Sequence, residues 1–260
     1  MFRLWIDTDV GTNPDDAVAL LCAVAHPEIE LVGVSTVGTN AAWRAEVARR
    51  LVPDGTLVVA GVPAAVEAIL AATPDAVLAI GPLTNMAAAV TMGRRPERLV
   101  VMGGALHPVQ HRGARRAVES NFAADPRAAA LLLADQRVTL VPLDATLATR
   151  LDRPEQSAIV AAAPALEPAV EAWLVAQEQA GVPEDERAIH LHDPAALLVA
   201  AGEPVAGFET LPLIVEGDGR LRAHPEGIDH EVVVYLDGPA VVERVLELLT
   251  GSRPEASPVQ

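Results

Sequence analysis

The chain has 260 residues, 51% of them hydrophobic, and a formal charge of −16. That charge argues against nucleic acid polymers as partners, because their phosphates demand basic patches. Lysine is missing, so all nineteen basic residues are arginine, which removes lysine nucleophiles, Schiff bases and lysine phosphate clamps from consideration.

Length and apolar content predict one α/β domain over residues 1–250, with 251–260 as a disordered tail. The single cysteine, Cys22, reads as a small buried hydrophobe, and no disulfide can form within the chain. No signal peptide or bilayer-spanning stretch is visible, so a cytoplasmic protein without a membrane partner is expected.

The first element is the apolar run Phe2, Leu4, Trp5, Ile6, a buried strand that turns polar at Asp7 and Asp9. Asn13-Pro14 reads as a cap followed by proline at the first helical position, starting a helix that ends before His26-Pro27. Asp15 and Asp16 therefore ride its first turn, where the helix dipole favours negative charge. Four carboxylates so close together repel one another, and a divalent cation would resolve that.

Ile29–Val37 is a second strand, closed by Gly38-Thr39-Asn40 and followed by a helix over 41–51. Short apolar strands recur at Thr56–Ala60, Ala76–Ile80, Leu99–Met102 and Val138–Leu143. Strands alternating with helices predict a doubly wound, largely parallel open sheet with helices on both faces. Ligands of such sheets bind beyond the carboxyl ends of the strands. Asp7, Asp9, Asn40, the GPLTN stretch at 81–85 and Met102-Gly103-Gly104 all sit just past a strand, so they converge on one rim.

The second half reads as more helical, from about Pro154 to Gln179 around Trp173, a scaffold region. His192-Asp193-Pro194 leads into an apolar helix at 195–201, with Asp193 as the expected N-cap. Leu211–Val215 and Glu231–Leu236 read as an antiparallel edge pair, followed by an amphipathic helix at 240–249.

DTDVGTNPDDAVAL resembles the N-terminal signature of the inosine–uridine-preferring nucleoside hydrolases. GPLTN at 81–85, VMGGA at 101–105, Glu119-Ser120-Asn121-Phe122 with Asp125-Pro126, VPLDAT at 141–146 and HDP at 192–194 follow in that family's order. The resemblance implies calcium-dependent hydrolysis of the N-glycosidic bond of a small ribonucleoside. It implies a Ca2+ held by Asp9, Asp16, Asp193 and the carbonyl of Thr84; such all-oxygen ligation suits a hard cation. Asp9 would also take a proton from the water attacking C1′. Asp15 and Asn40 would bind the ribose 2′-hydroxyl, Asn121 the 3′ side and Glu119 the 5′ region, with Met102 against the sugar. His192 would protonate the departing base, and Asp7 would orient the turn from behind. The resemblance leaves room for a homo-oligomer, dimer or tetramer.

The chain departs from the family pattern in two places. The stretch between Ala60 and Ala76 is short and lacks the usual His-Gly…Gly-Leu segment. Gln110 to Arg116 stands where members carry Gly-Asn, and Ser120 replaces an aromatic residue. Arg112, Arg115 and Arg116 would bring positive charge to the substrate's 5′ side or else lie solvated. These departures motivate a second reading, a noncatalytic nucleoside or ribose binder. A third, a haloacid-dehalogenase-like phosphatase, rests on Asp7-Thr8-Asp9-Val10-Gly11-Thr12; the missing lysine and the Asp15-Asp16 pair count against it.

Overall fold

The computed structural model describes residues 1–184 and 186–251; the predicted tail beyond Gly251 lies outside the described residues. The strands are β1 (Phe2–Thr8), β2 (Ile29–Thr36), β3 (Val58–Ala60), β4 (Ala76–Ala79), β5 (Leu99–Met102), β6 (Val109–His111), β7 (Ala114–Arg116), β8 (Thr139–Val141), β9 (Ala206–Val215), β10 (Leu221–Ala223) and β11 (Ile228–Leu236). The helices are α1 (Pro14–Ala25), α2 (Ala41–Arg49), α3 (Ala64–Ala72), α4 (Thr84–Thr91), α5 (Ser120–Ala124), α6 (Pro126–Asp135), α7 (Leu143–Thr146), α8 (Arg153–Ala162), α9 (Glu167–Gln179), α10 (His192–Ala201) and α11 (Gly238–Thr250).

Nine strands form one sheet in the order β10-β9-β11-β8-β5-β4-β1-β2-β3. From β3 across to β11 neighbouring strands run parallel, while β9 and β10 add an antiparallel edge. The predicted doubly wound sheet is thus present. Its strands β4 and β5 are buried along their whole length, as both-faced coverage requires of a parallel sheet. One core layer joins α1, α10 and α11 through Leu20, Leu197 and Val245; the other joins α4 and α6 through Met86 and Leu132. The chain builds β1, β2 and β3 outward and then crosses back to lay β4 on the far side of β1. That reversal between β1 and β4 is where a ligand crevice opens in such sheets.

Several expectations change. The helical stretch at 154–179 is two helices, bent by 114° around a short 3₁₀ turn at Pro164–Leu166, because Pro164 and Pro168 each remove a donor. The predicted strand at 231–236 starts at Ile228 and pairs in parallel with β8, so it belongs to the main sheet as well as to the edge pair. Residues 109–116, for which no strand is predicted, form the hairpin β6–β7. Helix α10 is capped by Leu191, which places His192 and Asp193 inside its first turn. The short 60–76 connection holds the single helix α3. No single helix among the described residues is long and apolar enough to cross a membrane.

Trp5, fully buried in β1, lies against Gly33 of β2 at an irregularity in the register. A Cβ at residue 33 would stand 2.2 Å from the indole ring. Gly33→Ala should therefore cost about 1–3 kcal/mol of stability by overpacking, read as a lower urea midpoint. An unchanged midpoint would contradict this packing.

Candidate active site

At the carboxyl ends of β1, β4, β5 and β8 opens a cavity of about 480 Å³. Asp9, Asn13, Asp15, Asp16, Met102, Glu119, Asn121, His192 and Asp193 line it. The acidic turn is its floor. Asn13 has the extended backbone of a cap and Pro14 follows at the helix start, so Asp15 and Asp16 enter the first turn of α1 fully committed to the interior.

Asp15, Asp16 and Asp193 bring one carboxylate oxygen each to within 4.8 Å of one another, all three side chains buried. Thr8 Oγ1 donates to Asp16 Oδ1 at 2.5 Å, whereas Asp15 Oδ1 is buried without a partner. Burial pushes the Asp15 carboxyl up to about 7, with Arg112 opposing and Asp9 adding. Burial, then repulsion among these acids, holds Asp16 and Asp193 well above the carboxylate range. Three clustered carboxylate oxygens, beside an Asp15 oxygen that nothing among the described residues satisfies, fit a hard divalent cation.

Asp9 stands beside this group but outside it. It is the most exposed of the four acids, and Arg44 Nη2 approaches its Oδ2 at 3.6 Å. Burial still raises its pKa, against the pull of Arg44. Arg44 also donates to the carbonyls of Val10 and Thr39, tying the β1 turn to the β2 turn. Sequence reasoning missed it. The available signal was a cation near the start of α2, where it opposes the helix dipole.

Asp7 behaves as a support. Its Oδ1 accepts from Ser35 Oγ at 2.5 Å and Asn85 Nδ2 at 2.7 Å, and Trp5 Nε1 donates to the same serine at 2.9 Å. Burial raises its carboxyl to about 7 against those hydrogen bonds. Asn85 comes from GPLTN, and Gly81 of that stretch lets the loop close on the acidic turn: a Cβ there would sit 2.9 Å from the Asp9 nitrogen.

Thr84 and Asn40 are not among the cavity-lining residues. The Thr84 hydroxyl donates to Asp125 Oδ2 at 2.6 Å. Asn40 is exposed, in a left-handed conformation at the cap of α2. Met102 and Asn121 are both buried, and Asn121 Nδ2 donates to the carbonyls of Ile80 and Met102. Glu119 lines the cavity too, but its oxygens accept from the backbone nitrogens of Gly104, Asn121 and Phe122 at 2.7–3.1 Å. It caps α5, and burial raises its carboxyl to about 7.

His192 Nδ1 lies 2.8 Å from Thr146 Oγ1 of the VPLDAT stretch. Its ring stacks on His190 at 5.2 Å, and His111 stands edge-on to both. Burial and then the neighbouring imidazoles and Arg112 hold His192 far below the ordinary histidine range. That environment disfavours the imidazolium form expected of a leaving-group acid. Trp173, read as scaffold, lines the cavity. So do Arg112 and Arg116, though not Arg115.

The sequence profile described as inosine-uridine preferring nucleoside hydrolase matches residues 57–243. An uncharacterized Schizosaccharomyces pombe protein is 28% identical, covering 66% of this chain and 71% of that protein. Among solved structures, a purine-preferring ribonucleoside hydrolase from Gardnerella vaginalis superposes with a TM-score of 0.81 at 22% identity, over 96% of this chain and 98% of that one. A plant nucleoside hydrolase gives 0.77 at 21%, over 96% and 99%. An inosine-uridine preferring nucleoside hydrolase from Bacillus anthracis gives 0.72 at 18%, over 97% and 100%. With a profile match over most of its length and the same fold around an acidic strand-end cavity, the chain belongs to the inosine-uridine preferring nucleoside hydrolase family, hydrolases of N-glycosidic bonds.

Proposed function

We propose that this protein is a calcium-dependent N-ribohydrolase that splits ribonucleosides into free base and ribose. The observation that carries the reading is the buried triad of Asp15, Asp16 and Asp193, with one Asp15 oxygen left unpartnered among the described residues, lining a cavity of about 480 Å³. These three side chains, with Asp9 at their edge, would hold the cation, which supplies positive charge that makes water and sugar hydroxyls more acidic. A carboxylate floor also favours the positive charge that develops on the ribose as the bond to the base breaks.

Asp9 is the fitting general base. It is open to the cavity, outside the triad, and its raised pKa brings its basicity nearer to what proton abstraction from water demands. Asn121 is fixed by two carbonyls, so its remaining amide oxygen presents a preset contact for a sugar hydroxyl. Met102 supplies an apolar wall. Glu119 supports the sugar's 5′ side indirectly, by holding the Gly104 and Asn121 backbone in place.

The expected result is release of reducing sugar from at least one of inosine, guanosine, adenosine, uridine and cytidine when Ca2+ is present. Asp9→Ala should lose ~10²–10³-fold of that rate while keeping its circular dichroism spectrum. Turnover of none of the five by the wild type, with Ca2+ binding confirmed by calorimetry, would overturn the reading in favour of a binder.

A further inference from the structure

The cavity has a second wall that the family motifs do not supply. Opposite the acids stands the hairpin β6–β7, whose two-residue turn is Arg112-Gly113, with φ of +52° and +70°. Both values lie in the left-handed region, which a type I′ turn requires and which costs a non-glycine residue energy. The turn is pinned, since the Gly113 nitrogen donates to Glu186 Oε2 at 2.8 Å. The result is that the Arg112 guanidinium lies over the Trp173 ring, 4.2 Å from its centroid. Among the described residues it makes no ion pair or hydrogen bond, although it lines the same cavity as Asp15 and Glu119. A half-buried arginine stacked on one face and left without a carboxylate has unused donors for a ligand.

The surroundings give those donors a task. Arg112 stands among His111, His190 and His192, within electrostatic reach of Asp15 and Glu119 but bonded to neither. Burial and Arg112 itself hold His111 at about 3 and His190 at about 4, so the standing charge of this wall is that of Arg112 and of Arg116 on the same hairpin.

We propose that Arg112 is a catalytic residue of the leaving-group side: its guanidinium takes up the negative charge that the nucleobase acquires as the glycosidic bond breaks. The inference rests on the ribohydrolase reading. The C1′–N bond breaks with both electrons passing to the ring nitrogen, and the oxygen of water bonds to C1′. One water proton passes to Asp9 and on to solvent, and the base anion, held by Arg112 and stacked near Trp173, is protonated from solvent. Nucleoside and water thus give ribose and neutral base. The same charge is spread over the ring's heteroatoms, and Arg112 offers a planar, donor-only partner to them.

The test compares inosine and uridine with p-nitrophenyl β-D-ribofuranoside, whose nitrophenolate leaves unaided near neutral pH. Arg112→Met should lower kcat/KM on the two nucleosides by ~10²-fold, the loss of one preorganised donor, and leave the nitrophenyl riboside within threefold. Arg112→Lys, which keeps the cation, should stay within tenfold of wild type on inosine. Equal losses on all three substrates, no loss on the nucleosides, or a lysine variant as impaired as the methionine variant would each overturn the assignment. Those outcomes are separate from failure of the ribohydrolase reading, in which the wild type would hydrolyse neither nucleosides nor the nitrophenyl riboside.

Discussion

Asp193→Asn should cut nucleoside turnover by at least ~10²–10³-fold and, in the absence of divalent cation, make the protein more stable. Asparagine keeps the shape of the side chain and removes its charge. The first consequence follows from position. Asp193 reaches the α1 acids from the first turn of α10, a helix buried along most of its length, and no other residue of that helix brings a carboxylate to the triad. The second follows from the same geometry. Three carboxylate oxygens within 4.8 Å, screened from water, repel one another, and removing one charge relieves that repulsion. A relief of about 1–2 kcal/mol would raise Tm by ~2–8 °C. Reducing-sugar assays and thermal melts in chelator check the two halves. A variant that is both active and less stable than wild type would show that Asp193 is a structural residue.

The fold was legible because its signals are local and repeated. Short apolar strands followed by helices, with polar residues just past each strand, dictate a doubly wound sheet, and the acid-rich turn before Pro14 marks its own helix start. What escaped the sequence depends on distance. Asp9, Asp15 and Asp16 are close in the chain, yet which of their oxygens lie nearest to those of Asp193 depends on how α1 leaves β1, and those of Asp15 and Asp16 lie within 4.8 Å of it. Thr84 and Asn40 lie after the expected strands; the Thr84 hydroxyl goes to Asp125 and Asn40 is exposed, two placements that depend on loop paths and not on local pattern. The hairpin β6–β7 carries no alternating apolar pattern, only the His-Arg-Gly-Ala turn, so its reach over the cavity and its contact with Trp173 of α9 are tertiary facts.

Without divalent cation, the protein should gain stability as pH falls from 8 to 5, the reverse of ordinary acid sensitivity in that range. Asp7, Asp15 and Glu119 are each raised to about 7, first by burial, and Asp16 and Asp193 are raised in the same direction by the same cause. A carboxyl whose pKa is higher folded than unfolded binds its proton more tightly in the native state. Its stabilising contribution is complete below the unfolded value near 4 and is lost as pH rises through the folded value. The window of gain is therefore roughly pH 4 to 7. His111, His190, His192 and His230, held below the histidine range first by burial, act in the opposite sense as pH falls through about 6.5. With these five raised carboxyls against four lowered imidazoles, Tm in chelator should be higher at pH 5 than at pH 8. A bound divalent cation compensates the charges of Asp15, Asp16 and Asp193, so its effect should be largest at pH 8, where those charges are most fully developed. At 100 to 1,000 times the dissociation constant the gain is about 2.7–4.1 kcal/mol. Asp7 and Glu119 lie outside the triad and should keep a residual slope even at saturating cation. Melts at both pH values, with and without Ca2+, decide the matter: a lower Tm at pH 5 in chelator, or an equal Ca2+ shift at both pH values, would show that the triad is not the seat of the charge. If the slope does flatten with cation, the instability of the opening turn is the electrostatic cost of a site kept ready for its ion.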